Sequence, residues 1–123
     1  MDFAHYIGGE WVGDSDVTTN TSPANRDDVI GTYARGDAAR VDQAVSAALA
    51  AQPSWAAASP QLRHDVLERA GVLIVERKDE LGRLLAREEG KTIAEAVGET
   101  VRASQVFKFF AGEALRNTGD AVA

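Results

Sequence analysis

The chain has 123 residues, of which 45% are hydrophobic and 26% charged, and its formal net charge is −6. The composition is that of a globular domain, and the acidic excess argues against a nucleic-acid partner, whose phosphates require Lys and Arg. No stretch approaches the roughly 20 apolar residues that span a bilayer, so we predict no membrane partner either. Because the sequence contains no cysteine, it offers no disulfide, no thiolate metal site and no cysteine nucleophile.

The first residues of the chain carry no basic segment ahead of a hydrophobic run. That pattern is not typical of a secretory signal. We therefore predict a cytoplasmic location.

Short strands are predicted at the start of the chain. Two runs of β-favouring residues, 5–7 and 10–12, flank Gly8-Gly9 and predict a tight hairpin, since glycine supplies the positive φ that such turns need. Residues 14–25 are rich in Asp, Ser, Thr, Asn and Pro and are predicted to be a loop. Residues 29–33 predict another short strand. A two-stranded hairpin is marginal in water, so these strands need a packing partner.

From Asp37 onward the apolar residues recur at helical spacing, which predicts four helices. The first begins with Asp37 as N-cap and is predicted to end before Pro53, whose ring disfavours a helical residue just ahead of it. The second opens with Ser59-Pro60, a capping hydroxyl followed by proline at the first helical position.

The third helix is predicted to start at Asp79-Glu80 and to end at Gly90, because glycine is the common residue just past a helix end. The fourth and longest begins at Thr92 and is predicted to end near residues 117–119. The sequence thus predicts an α+β fold that is mostly α, with short N-terminal strands followed by four helices.

Recognisable site motifs are few. The sequence has neither a Gly-x-Gly-x-x-Gly fingerprint nor a phosphate-binding loop. His5 and His64 lack the spacing of a helical metal pair, and His64 is interpreted as a surface residue. Glu88 and Glu89 are neighbours on a helix, so their side chains point about 100° apart and do not converge. Lys91 is a candidate anion ligand, but we interpret it as a solvated side chain.

The helices have wide apolar stripes, and three phenylalanines, Phe107, Phe109 and Phe110, point to different sides of the last one. Two explanations remain open at this point. A four-helix bundle would bury these side chains by itself. A helical layer that packs on a sheet outside these residues would leave them exposed.

Several short pieces, in order along nearly the whole chain, resemble the N-terminal segment of the aldehyde dehydrogenase superfamily. They are residues 6–11, 22–24, 29–31, 42–45, 55, 76–81, 89–91 and 107–112. Each piece consists of common residues, and it is the ordered set that is specific. The run 107–116 is most similar to members that act on α-ketoglutaric semialdehyde.

The resemblance implies an NAD(P)+-dependent oxidation of an aldehyde to a carboxylic acid. In that family a cysteine attacks the aldehyde, and a glutamate activates the water that releases the acid. It also implies that residues 1–36 form the opening hairpin and strands, and that residues 37–123 form an incomplete helical layer of the NAD(P)-binding domain. No catalytic and no cofactor-binding residue of the family matches a position here. We therefore predict that this chain alone is inactive and binds neither NAD nor NADP.

Two sites carry over from the resemblance. A monovalent cation is held in some members by backbone carbonyls and an acid, which match Thr21 and Glu88, with glutamate where relatives usually have aspartate. The mouth of the substrate tunnel matches Gly98, Glu99 and Arg102. There the Arg102 guanidinium can bind the distal carboxylate of a semialdehyde acid through two parallel N–H···O bonds.

A second hypothesis is that the chain has no catalytic function. Large apolar faces on a short chain commonly mark interfaces. The chain would then be a stand-alone helical module that binds another protein. In either case we predict a homo-oligomer, or self-association through the apolar helix faces.

Overall fold

The computed structural model describes residues 2–116, which fall into two compact units. The first unit contains the described residues up to Ala57 together with Arg87–Gly90. The second contains residues 58–86 and those from Lys91 onward. The sequence-based division at residue 36 stays a prediction.

Short strands come first and helices follow, as predicted. The strands are β1 (Asp2–Phe3), β2 (His5–Ile7), β3 (Glu10–Val12), β4 (Val17–Thr21) and β5 (Val29–Ala34). The helices are α1 (Ala38–Ala56), α2 (Pro60–Glu76), α3 (Lys78–Glu89) and α4 (Ile93–Ala114). The mostly helical fold class is confirmed. Among residues 2–116, no helix combines the length and apolarity needed to cross a membrane.

The predicted hairpin is confirmed. Strands β2 and β3 pair antiparallel around Gly8 and Gly9, whose φ angles are +62° and +89°. Only glycine adopts such angles readily, and a two-residue turn needs them at both positions. Tyr6 and Trp11 lie directly opposite each other, with ring centroids 4.9 Å apart. The turn approaches α1 at Ala47, which gives the hairpin the packing partner it needs.

The prediction of a loop over residues 14–25 was wrong in part, because β4 lies within it. Strand β4 pairs antiparallel with β5, and the register shifts between Asn20 and Thr21. Strand β1, which was not predicted, pairs parallel with β5, so the sheet order is β1-β5-β4. The β-branched residues of β4 favour a strand, but most of its side chains are exposed. Their polar character therefore resembled that of a loop.

The first helix does not end before Pro53 but continues through it to Ala56. A proline inside a helix removes one N–H donor and crowds the preceding turn. None of the residues of α1 is buried, so water can bond to a carbonyl that loses its partner. The Ser54 hydroxyl also donates to the Ala51 carbonyl, at 2.9 Å. The prediction failed because this proline lies in an exposed part of the helix, where water can replace the hydrogen bond that is lost.

The predicted caps at Asp37 and Ser59 are confirmed, and Thr92, which was predicted only to begin the last helix, is its N-cap. The side chains of Asp37, Ser59 and Thr92 accept hydrogen bonds from backbone N–H groups in the first turns of α1, α2 and α4. Thr92 and Glu95 cap each other's backbone groups reciprocally. Gly90, with φ +72°, follows the end of α3. Two boundaries differ from the prediction: α3 begins at Lys78, and α4 ends at Ala114, whereas residues 117–119 lie outside the described part.

A polar cluster ties the hairpin region to α1. Arg40 donates from Nε and Nη2 to the two carboxylate oxygens of Asp14, at 3.1 and 2.6 Å, and from Nη2 to the Gly13 carbonyl. His5 Nε2 lies 3.1 Å from the same carboxylate. The hydrogen bonds from Arg40 lower the pKa of Asp14, an effect that burial opposes in part.

In the second unit, α2 and α4 cross at small residues. The Ser104 hydroxyl, fully buried, donates to the Gly71 carbonyl at 2.7 Å. Nearer the start of α4, Gly82 of α3 lies against the backbone of Val97. The buried face of α4 consists of Ala96, Thr100, Ser104 and Ala111. Small side chains at these positions allow the helix backbones to approach closely.

We predict opposite effects on stability for two Gly→Ala substitutions. A Cβ at Gly82 would lie 2.5 Å from Val97 Cγ2 and 2.9 Å from its Cα, so Gly82→Ala should destabilise the chain by about 1–3 kcal/mol. A Cβ at Gly98 meets no atom within 4 Å, so Gly98→Ala should stabilise α4 by about 0.5–1 kcal/mol. Urea unfolding followed by circular dichroism measures both. A stable Gly82→Ala variant would contradict the described packing.

The Asp14 cluster predicts an acid-sensitive contribution to stability. Because the folded-state pKa of Asp14 is lowered, its contribution is present above the unfolded-state pKa and is lost as the pH falls through the folded-state pKa. Asp14→Asn should therefore be less stable than the wild type near neutral pH, and this difference should shrink between roughly pH 5 and pH 2. Thermal melts across this range test it, with Asp42→Asn, exposed on α1, as the control.

Candidate functional site

The three residues predicted to lie at a substrate tunnel are on α4, in the second unit. Arg102 is exposed and lines a surface groove of about 340 Å³, with Gln105, Val106, Phe109 and Phe110 as the other lining residues. Arg102 Nη1 donates to Gln105 Oε1 at 3.1 Å, so the guanidinium is held along the groove. The groove therefore combines one cationic group with an aromatic wall.

Sequence reasoning missed the other lining residues, although a signal was present. Counted from Arg102, they stand at i+3, i+4, i+7 and i+8, which is one face of a helix. The aromatic residues were interpreted as packing area because their type carries no chemical signature. The signal that could have identified these residues is that they share one helix face with an arginine.

Glu99 is engaged elsewhere. Both of its carboxylate oxygens accept hydrogen bonds from Lys91 Nζ, at 2.7 Å each. The Lys91 side chain is only 21% exposed, so its interpretation as a solvated side chain was wrong. The reason is the reach of its long stem, which brings the ammonium back over the first turns of α4. Gly98, beside Glu99, faces open space.

The predicted cation ligands Thr21 and Glu88 belong to the first unit. Thr21 ends β4 and is exposed, opposite Val29 of β5. Glu88 is half-buried and its Oε1 accepts a hydrogen bond from the Tyr33 hydroxyl at 2.8 Å. Burial raises the pKa of Tyr33, and the hydrogen bond to Glu88 and the charge of this carboxylate add to that effect. The cation site stays a prediction, whereas Tyr33 is a partner that the sequence did not reveal.

The residue before Glu88 binds the turn that follows β4. Arg87 donates from Nε and Nη2 to the Asp28 carboxylate, at 2.9 and 2.6 Å, and this pairing lowers the pKa of Asp28. Asp28 itself closes the turn, since its carbonyl accepts from the backbone N–H of buried Ser22. The end of α3 thus holds the turn over residues 22–28 in place.

The turn between β5 and α1 lacks the features of a site for a dinucleotide cofactor. Such cofactors place their pyrophosphate at a glycine-rich turn between a strand and a helix N-terminus. Here β5 leads into α1, but the Asp37 carboxylate occupies that N-terminus and accepts from the Arg40 N–H at 3.0 Å. A carboxylate at this position repels phosphate. Within residues 2–116 there is also no group of three or more His, Cys, Asp or Glu able to hold a metal ion.

Comparison with known proteins assigns the fold. The sequence pattern of the aldehyde dehydrogenase family matches residues 11–123. The chain belongs to this family. The resemblance stated from the sequence is therefore confirmed.

Individual aldehyde dehydrogenases match over nearly the whole chain. An alpha-ketoglutarate semialdehyde dehydrogenase of Haloferax volcanii is 38% identical, over 89% of this chain and 23% of the relative. An alpha-ketoglutaric semialdehyde dehydrogenase of Bacillus subtilis is 33% identical, over 98% of this chain and 25% of the relative. A 1-pyrroline-5-carboxylate dehydrogenase structure from Thermus with bound NAD is 30% identical, with a TM-score of 0.92 over 99% of this chain and 24% of that one. The chain spans about a quarter of the length of these aldehyde dehydrogenases.

Proposed function

We propose that these 123 residues are the N-terminal part of an NAD(P)+-dependent aldehyde dehydrogenase and do not oxidise aldehydes by themselves. The observation that carries the proposal is the family match over residues 11–123, with coverage of only about a quarter of each relative. The sequence contains no cysteine, so the family's nucleophile is not among these residues. NAD or NADP, bound by residues other than these 123, would accept the hydride in the complete enzyme.

The substrate class that we propose is a semialdehyde with a distal carboxylate, such as α-ketoglutaric semialdehyde. Arg102 supports this, because a guanidinium binds a carboxylate through two parallel N–H···O bonds. Its hydrogen bond to Gln105 fixes the guanidinium beside the aromatic side chains of the groove. A volume of about 340 Å³ also suits a small acid. Glu99 is paired with Lys91, so its charge opposes binding of an anion less than that of a free carboxylate.

A second candidate function is a protein-interaction module without catalysis. It is favoured by the apolar side chains exposed on α1: Val41 is 58% and Leu49 67% exposed. The same surfaces support self-association or a homo-oligomer, and a cytoplasmic location stays a prediction. Light scattering at increasing concentration separates the two functions. A monomeric chain with a sharp melt supports the module, whereas association with binding of a hydrophobic dye supports a layer that needs further packing.

We predict no turnover by this chain alone. It should show no reduction of NAD+ or NADP+ above buffer with α-ketoglutaric semialdehyde, glutaric semialdehyde or betaine aldehyde. The physical reason is the absence of a thiol nucleophile. Absorbance of the reduced nicotinamide measures this. Turnover that follows the purified chain through a sizing column would refute the proposal.

The role of Arg102 can be tested in a chimaera in which this chain replaces the matched quarter of the Bacillus subtilis relative. Arg102→Gln should raise KM for the carboxylate-bearing semialdehyde by roughly 10–100-fold, since it removes charged hydrogen bonds of about 1.5–3 kcal/mol. KM for an uncharged aldehyde of the same length should not change. Arg83→Gln, an exposed arginine on α3, is the matched control. Equal effects on both aldehydes would remove Arg102 from carboxylate recognition.

A further inference from the structure

The last turn of α3 makes two successive contacts with the strands of the first unit. Arg87 binds the Asp28 carboxylate and the Val29 carbonyl, and Glu88 binds the Tyr33 hydroxyl. Both contacts join residues more than fifty positions apart in the sequence. They are therefore tertiary links between the end of α3 and the strand β5 with its preceding turn, and not local capping interactions.

Two side chains hold Tyr33 in place for this contact. Its ring stacks on Phe3, with centroids 4.5 Å apart and planes inclined by 12°. This stacking follows from the pairing of β1 with β5, which puts Phe3 directly beside Tyr33. The Asn20 side chain hydrogen-bonds with the hydroxyl from the adjacent strand β4. With the ring fixed and the oxygen already bonded to Asn20, the O–H is directed at Glu88.

This arrangement bears on what Glu88 can bind. An ionised carboxylate has two oxygens and about four acceptor positions, and the Tyr33 O–H at 2.8 Å takes one of those on Oε1. A cation at Glu88 would have to share the carboxylate with this hydrogen bond. The charge of Arg87 also acts on Tyr33. A monovalent cation at Glu88 would therefore lie near the Arg87 guanidinium as well as near the Tyr33 proton.

We propose that the Tyr33–Glu88 hydrogen bond, and not a bound monovalent cation, fixes the end of α3 on the strands. Glu88 is then a positioning residue whose partner is built into the fold. The first unit accordingly has a stability that does not depend on K+ or Na+. This inference is independent of the aldehyde chemistry proposed above, because it concerns only residues present in this chain.

The direct test is thermal unfolding of the complete 123-residue chain in KCl, NaCl and choline chloride at the same ionic strength. Choline is too large for a cation site of backbone carbonyls and one carboxylate, so it serves as the reference. The expected result is the same Tm in all three salts. A Tm that rises in KCl or NaCl, with the rise abolished in Glu88→Gln, would show a cation site and overturn the proposal.

A double-mutant cycle tests the hydrogen bond itself. Tyr33→Phe and Glu88→Ala should each lower Tm by roughly 4–8 °C, and the double variant should fall hardly further, because both remove the same interaction. Tyr6→Phe, the other tyrosine of the chain and 63% exposed, should leave Tm unchanged. Additive losses in the double variant would show that Tyr33 and Glu88 do not act together.

A milder variant distinguishes an acceptor from a cation ligand. Glu88→Gln keeps a carbonyl that accepts from Tyr33 but loses the charge. Its Tm should therefore fall by less than half as much as the Tm of Glu88→Ala. Hydrogen exchange in peptides covering residues 17–34 and 84–90 gives the same comparison where a variant melts without a clear transition. Faster exchange in Tyr33→Phe but not in Glu88→Gln supports the proposal. Equal acceleration in both overturns it.

Discussion

Close backbone approach at small residues is the constraint on which the second unit depends. Gly82 leaves no room for a side chain beside Val97, and Gly71 exposes a carbonyl that buried Ser104 can reach. The buried apolar residues of the described chain are correspondingly small, with alanines at 86, 96 and 111 and a single larger residue, Ile30. Large apolar side chains remain at the surface, Phe109 at 60% exposure among them. Burial of small residues supplies little hydrophobic stabilisation per residue, at about 25 cal/mol per Å². Specific close contacts therefore matter more than the volume of the core.

The geometry of α4 separates its buried positions from Arg102. At about 100° per residue, Ala96, Thr100, Ser104 and Ala111 fall within roughly 80° of one another around the helix axis. Arg102 and Phe109 lie about 180° from the middle of that stripe by the same count. Arg102 and Phe109 thus lie on the face opposite the buried positions, whereas Phe110 lies roughly 40° from Ala96 by the same count. Substitution of Arg102 is therefore expected to leave the crossing with α2 undisturbed.

Local signals in the sequence predicted the features that depend on neighbouring residues. The caps at Asp37 and Ser59 and the glycines of the hairpin all act over two to four positions, so their residue types suffice. Strand β4 was missed because its pairing with β5 is not encoded in its own exposed polar side chains. The Glu88 partner was missed for a similar reason. Tyr33 is distant in sequence, and a glutamate near the end of a helix does not by itself indicate a tertiary partner.

The length of the Glu88 side chain bears on both the family resemblance and the structure. The resemblance implies that relatives have aspartate at the position of Glu88, and glutamate adds one methylene between the backbone and the carboxylate. That extra bond of about 1.5 Å extends the carboxylate away from the helix axis. In this chain the extended group meets a hydroxyl that Phe3 and Asn20 hold in place. A shorter acid at the end of α3 would leave the Tyr33 hydroxyl without this acceptor.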